Sequence, residues 1–81
     1  MFHQHSDVYN DVIDELNNAT RKYPNWPTDM LHAVAVVNEE SGELTRAVLN
    51  HVYHGDSIED IRLEAIQTTA MAIRFLENLD A

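Results

Sequence analysis

HAVAVVNEESGELTRA, residues 32–47, is the stretch whose reading decides the fold. Within and around it Met30, Val34, Val37, Ser41, Leu44, Val48 and Val52 advance mostly in steps of three and four. A residue every ~3.6 positions returns to the same side of an α-helix, so this spacing predicts one long helix with a seam for packing in a bundle. It begins near Pro27 or Thr28, with Asp29 in its first turn where a negative charge complements the dipole, and runs to about His54. That is roughly 27 residues, or ~40 Å at 1.5 Å per residue. Gly42 lies inside the run. A glycine there costs about 1 kcal/mol relative to Ala, and either its missing side chain admits a neighbouring helix beside the carboxylates or the cost is simply tolerated.

On the N-terminal side, Pro24, Asn25, Trp26 and Pro27 interrupt the chain. A first helix over about residues 7–23 precedes them, with Val8, Val12 or Ile13, Leu16, and Ala19 or Thr20 on one stripe. On the C-terminal side Gly55 ends the long helix, and Asp56 with Glu59 reads as an N-cap and its capping-box partner. A third helix then runs toward Asp80, with Ile58, Ile61, Ala65, Thr69, Ala72, Leu76 and Leu79 repeating the three-and-four pattern. Short connections make successive helices antiparallel. The expected architecture is all-α: an antiparallel bundle of three main helices forming a single domain over residues 1–81.

A chain of 81 residues buries only ~60% of its unfolded surface as a monomer. It has no cysteine, so neither disulfides nor a thiolate zinc site can compensate, and oligomerisation becomes the expected source of further burial. Five Lys plus Arg stand against fourteen Asp plus Glu, a formal charge of -9. With no basic block, direct nucleic-acid binding is not expected. A phosphate ligand would also be repelled unless cations offset the carboxylates. The N-terminal MFHQHSDVYND lacks the basic and apolar segments of a secretion signal, and no stretch approaches 18 apolar residues, so the expectation is a soluble cytoplasmic protein without a membrane span.

Two groups of carboxylates carry the chemistry. Glu40 and Glu43 lie one turn apart on a face bordering the seam, beside Ala33, Val36 and Ala47, while Glu39 falls to the outer side in line with His32 and Arg46. In RLEAIQTTAMAIRF, residues 62–75, Glu64 flanks the third helix's seam, with Asp60 one turn before it and Gln67 three residues after. Antiparallel packing brings the middles of the two helices together. Two or three carboxylates from one helix and at least one from the other form an all-oxygen donor set suited to Mg²⁺ or Mn²⁺. The plain alternative is a solvated acidic face, with Glu39 and Glu43 pairing locally with Arg46.

Other chemistry-bearing residues have ordinary readings. His3 and His5 are two apart, off helical spacing, in a terminal segment. His32 fits a surface or boundary position, and His51 and His54 fit the end of a helix, with no third ligand to make a zinc site. Trp26 reads as the anchor of the helix connection or as a stacking surface for a base, and Met30 and Met71 as core filler.

EESGEL within HAVAVVNEESGELTRA resembles the EExGE-type first half of the metal motif of MazG-like nucleoside triphosphate pyrophosphohydrolases. The likeness spans most of the chain and is closest to the small MazG-like proteins of phages and bacteria. It implies an all-α bundle completed as a homodimer or homotetramer, with an E-x-x-E on one helix and an E-x-x-D on the next holding Mg²⁺. Carried over by position, Glu40 and Glu43 match the first pair and Glu64 opens the second. Gln67 stands where the family has Asp, so an uncharged amide oxygen takes the fourth ligand position. Glu39 matches the additional acidic position, which implies a catalytic role toward the attacking water. The implied reaction converts a nucleoside triphosphate to the monophosphate and pyrophosphate with Mg²⁺ as cofactor. A non-catalytic oligomerisation module and a nucleotide or metal sensor are the alternatives that the missing charge at Gln67 keeps open.

Overall fold

Three helices and no strand make up residues 5–80, the part of the chain that the computed structural model describes. They are α1 (His5–Lys22), α2 (Met30–His54) and α3 (Ile58–Glu77). The expected all-α bundle is the one that forms. His5 opens α1, and His3 lies outside the described residues.

Helix boundaries follow from local chemistry. The Asp29 carboxylate accepts a hydrogen bond from the Leu31 N–H at 3.2 Å, and its carbonyl accepts from Ala33 N at 2.9 Å. Asp29 is therefore the N-cap of α2, outside the first turn, and the helix starts about three residues later than Pro27. Gly55 stops α2 with φ at 72°, the left-handed conformation that glycine adopts without strain. Asp56 belongs to this stop rather than to the start of α3. Its N–H donates to Asn50 O at 3.3 Å and its carbonyl accepts from His51 Nδ1 at 2.6 Å. Ser57 caps α3 in its place, its hydroxyl accepting from Glu59 N at 3.1 Å. The Glu59 side chain turns outward to Arg62, 3.1 Å away, so no capping box closes. His51 is thus part of the helix stop, as its position near the end of α2 leads one to expect.

α3 is the central helix. Both α1 and α2 pack on it, and the backbones of α1 and α2 do not approach each other. At the centre Ala19 of α1 meets Ala70 and Met71 of α3, with Leu16, Trp26, Val36 and Val37 around them. Ala70 has no exposed surface at all. Small residues at this crossing let the helix axes come close; α1 buries Val12 and Ala19, seven residues apart on one face, while Val8, Ile13 and Thr20 are exposed. Trp26 is held in this structural role, partly buried, with the Arg74 guanidinium 5.0 Å over its ring. Met71 is core, whereas Met30 is 60% exposed.

The seams differ in phase from the sequence pattern. α2 buries Ala33 and Ala47, with Val36, Glu40 and Leu44 partly covered, a face roughly 80° around the helix from the Met30 to Val52 seam at 100° per residue. Met30, Val34, Val48 and Val52 of that seam are exposed. In α3 the buried residues are Ala70, Met71 and Arg74, and Ile58, Thr69, Leu76 and Leu79 of the expected stripe are exposed. The physical reason is the same in both helices. Each is apolar on more than one side, and a helix with two apolar faces has no single phase for a periodicity to report. Among the described residues no large side chain is fully buried, so the single chain leaves much apolar surface in water.

Candidate metal centre

The face of α2 that packs on α3 is the face that carries Glu40, so burial and charge coincide at one level of the bundle. Carboxylate oxygens of Glu40, Glu43 and Glu64 lie within 4.8 Å of one another, two residues from α2 and one from the facing helix. Glu43 is exposed, while Glu40 and Glu64 are partly buried. Oε2 of Glu40 and Oε2 of Glu64 are shut off from solvent and have no hydrogen-bond partner. Buried carboxylate oxygens are costly when unpaired, and among the described residues the only ion pair is Arg62 with Glu59, elsewhere on α3. Arg46 does not pair with Glu39 or Glu43.

Two carboxyls respond electrostatically. Burial pushes the Glu40 carboxyl above its ordinary value, and the negative charges of Glu43, Glu64, Glu39 and Glu15 push it further in that order. Glu64 is raised first by burial, next by the charge of Glu43, then by a hydrogen bond with Glu43 that a shared proton would mediate, and last by Asp60. Protons and cations compete for such a cluster.

The donor set fits a hard divalent cation. All three ligands are oxygens, and they lie no farther apart than 4.8 Å, the distance between opposite ligands of a shell at ~2.4 Å. Three carboxylates leave the rest of a six-ligand shell for water or for oxygens of a bound phosphate. A cation held by these carboxylates would offset the cost of leaving Oε2 of Glu40 and Oε2 of Glu64 buried without a partner.

Two cavities flank the cluster. One of about 350 Å³ is lined by Glu43 and Glu64 together with Arg46, Asn50, Asp56 and Asp60. The other, of about 270 Å³, lies between α1 and the α2–α3 pair and is lined by Glu40, Gln67, Glu15, Asn18, Lys22 and Arg74 among others. Gln67 thus shares a groove with Glu40, and Asp60 shares the opposite cavity with Glu64. Glu39 is exposed on α2 beside Glu40 and outside the three-carboxylate cluster. His32 and His54 are exposed, away from it.

Arg74 is the residue that sequence periodicity passes over. It is only 5% exposed, and its guanidinium donates to the carbonyl of Tyr23 at 2.7 Å, tying the end of α1 to α3. The signal for it is a lone cation inside the apolar run AMAIRFL, residues 70–76. An arginine so placed must be buried with partners or point to a ligand.

Comparison with known proteins adds no relative to this geometry: no family model matches the chain, and no curated protein or solved structure matches it either. Among the described residues no helix is long and apolar enough to cross a membrane.

Proposed function

We propose that this chain is a Mg²⁺-dependent nucleoside triphosphate pyrophosphohydrolase of the MazG-like kind, splitting the substrate between its α- and β-phosphates. The observation that carries the reading is the meeting of Glu40, Glu43 and Glu64 from two helices, with two of their oxygens buried and unpartnered. A divalent cation held there supplies charge to neutralise phosphoryl oxygens and lowers the pKa of the attacking water. Glu40, Glu43 and Glu64 would fix its position on rigid helices. Glu39, exposed one residue from Glu40, would accept the proton of the attacking water as the water oxygen bonds to the α-phosphorus. The bond from that phosphorus to the bridging oxygen breaks, the bridging oxygen leaves with pyrophosphate, and the nucleoside monophosphate remains. Mn²⁺ satisfies the same oxygen ligands.

A homo-oligomer belongs to the same reading. The seam of α2 that α3 does not cover, with Val34, Val48 and Val52 flanked by Leu31 and Leu49, is an exposed apolar strip on an 81-residue chain with a thin core. A second copy, in a dimer or a tetramer, would bury it.

The test is pyrophosphate release from a panel of canonical and modified nucleoside triphosphates, with Mg²⁺ or Mn²⁺ and with a chelator control. The expected result is chelator-sensitive release with an equal yield of monophosphate. Cation binding without release across the panel would reject hydrolysis in favour of a sensor. Neither binding nor release would leave the interaction module standing.

A further inference from the structure

Among the described residues this strongly acidic chain carries five Lys and Arg residues, and their placement is uneven. Arg62 is neutralised by Glu59. Lys22 and Arg74 both line the groove between α1 and the α2–α3 pair, and among the described residues neither has a carboxylate within ion-pair distance. Arg74 is 5% exposed and partnered by the Tyr23 carbonyl and the face of Trp26, neither of which carries a negative charge. A buried guanidinium without a counter-charge is costly, and an anion entering the groove would remove that cost.

We infer that this groove seats the pyrophosphate end of a nucleoside triphosphate, with Lys22 and Arg74 as its cations and the Asn18 and Gln67 amides as neutral donors. The inference rests on the pyrophosphohydrolase reading and assigns the direction in which substrate lies across the carboxylate cluster. Charge decides between the two cavities. The larger one sets four carboxylates, Glu43, Glu64, Asp56 and Asp60, against Arg46 alone, and would repel a leaving group that carries several negative charges. The α1 groove balances Glu15 and Glu40 with Lys22 and Arg74, and Glu40 itself would be neutralised by the cation it holds. The polyanionic end therefore belongs in the α1 groove and the uncharged nucleoside on the other side.

Reach is adequate. Glu64, Gln67, Met71 and Arg74 follow one another along α3, roughly 15 Å between the first and last Cα at 1.5 Å per residue. An arginine side chain leans toward the helix N-terminus and shortens that span. Gln67 lies between, where a phosphate chain anchored at Glu64 and Arg74 must pass. This gives the amide a different meaning from a weakened metal ligand: its NH₂ can donate to phosphate, whereas an Asp there would set a like charge against it. Gln67 is then a specificity residue for polyphosphate.

The experiment is calorimetric titration of the full chain with inorganic pyrophosphate under saturating Mg²⁺, alongside a titration with Mg²⁺ alone. Lys22→Gln and Gln67→Asp are expected to weaken pyrophosphate about tenfold each, the loss of one charge-assisted hydrogen bond, and Arg46→Gln in the other cavity to change it little. Mg²⁺ binding alone should be unchanged in Lys22→Gln and unchanged or tighter in Gln67→Asp. If Arg46→Gln weakens pyrophosphate while Lys22→Gln and Gln67→Asp do not, the assignment is wrong and the hydrolase reading stands. A wild type that turns over nucleotides yet shows no pyrophosphate binding also overturns it. A wild type that neither binds Mg²⁺ nor hydrolyses nucleotides removes the underlying reading and this inference with it.

Discussion

Glu64→Gln is the most informative single change, because it keeps the shape of the side chain and removes one charge from the cluster. Two like unit charges 4.8 Å apart, the upper limit of the separations in the cluster, repel by about 1 kcal/mol in a water-like medium and about 3.5 kcal/mol at an effective dielectric of 20. Glu64 faces two such partners, Glu40 and Glu43. Its partial exposure places the screening nearer the water-like limit, so neutralising it should stabilise the metal-free protein by about 2 kcal/mol. For a domain of this length that is a rise in Tm of about 10 °C. With Mg²⁺ at about a hundred times its Kd the wild type should gain about 2.7 kcal/mol, and the variant, short of a charged ligand, much less. The variant's advantage therefore shrinks on adding the ion, and it reverses where the variant's own gain stays below about 0.7 kcal/mol. Unfolding followed by far-UV circular dichroism, at one protomer concentration with chelator or with Mg²⁺, reads both arms. A variant within about 0.5 kcal/mol of wild type in both conditions, the range of ordinary surface substitutions, would refute the site.

Two further outcomes follow from the same structure. Glu40 and Glu64 have folded-state pKa values above the ordinary 4.5, so the metal-free folded chain holds their protons more tightly than the unfolded chain does. The stability they contribute is present in full below pH 4.5 and is lost as pH rises through the raised values. The double variant Glu40→Gln, Glu64→Gln should match wild type in acid and become progressively more stable than it as pH rises, and a difference in Tm that does not vary with pH would contradict this. Separately, Val34→Glu with Val48→Glu should lower the mass seen by sedimentation while helical content persists; an unchanged mass would mean that this strip is not where copies meet.

The helices and their breaks were legible because Pro24, Pro27 and Gly55 act locally, through ring geometry and a positive φ that need no tertiary context. The carboxylate cluster was legible for a related reason. Glu40 and Glu43 share a face by helical arithmetic, and a short turn at Gly55 forces α2 and α3 side by side. The seams were another matter. Val34 and Val48 are as apolar as Val36 and Ala47, and nothing in their spacing says which pair meets α3 and which is left exposed. Caps were missed by one residue at Asp56, since Asp and Ser are both good N-caps and the choice of Ser57 depends on how Asp56 completes the glycine turn. Arg74 escaped because its partners are a carbonyl 51 residues away and an aromatic face, neither of which periodicity encodes.

The central position of α3 divides the labour of folding. Glu40, Glu43 and Glu64 all belong to the α2–α3 hairpin, whose ends are brought together by a turn of a few residues and hence at small cost in loop-closure entropy. α1 supplies none of these three carboxylates and arrives over a longer path, fastened at its end by Arg74. The three carboxylates can therefore be brought together by the hairpin alone, whereas the groove that holds Lys22 needs α1 as its second wall. On the proposed function, an ion would need only the α2–α3 hairpin, while a phosphate chain would need the complete three-helix chain.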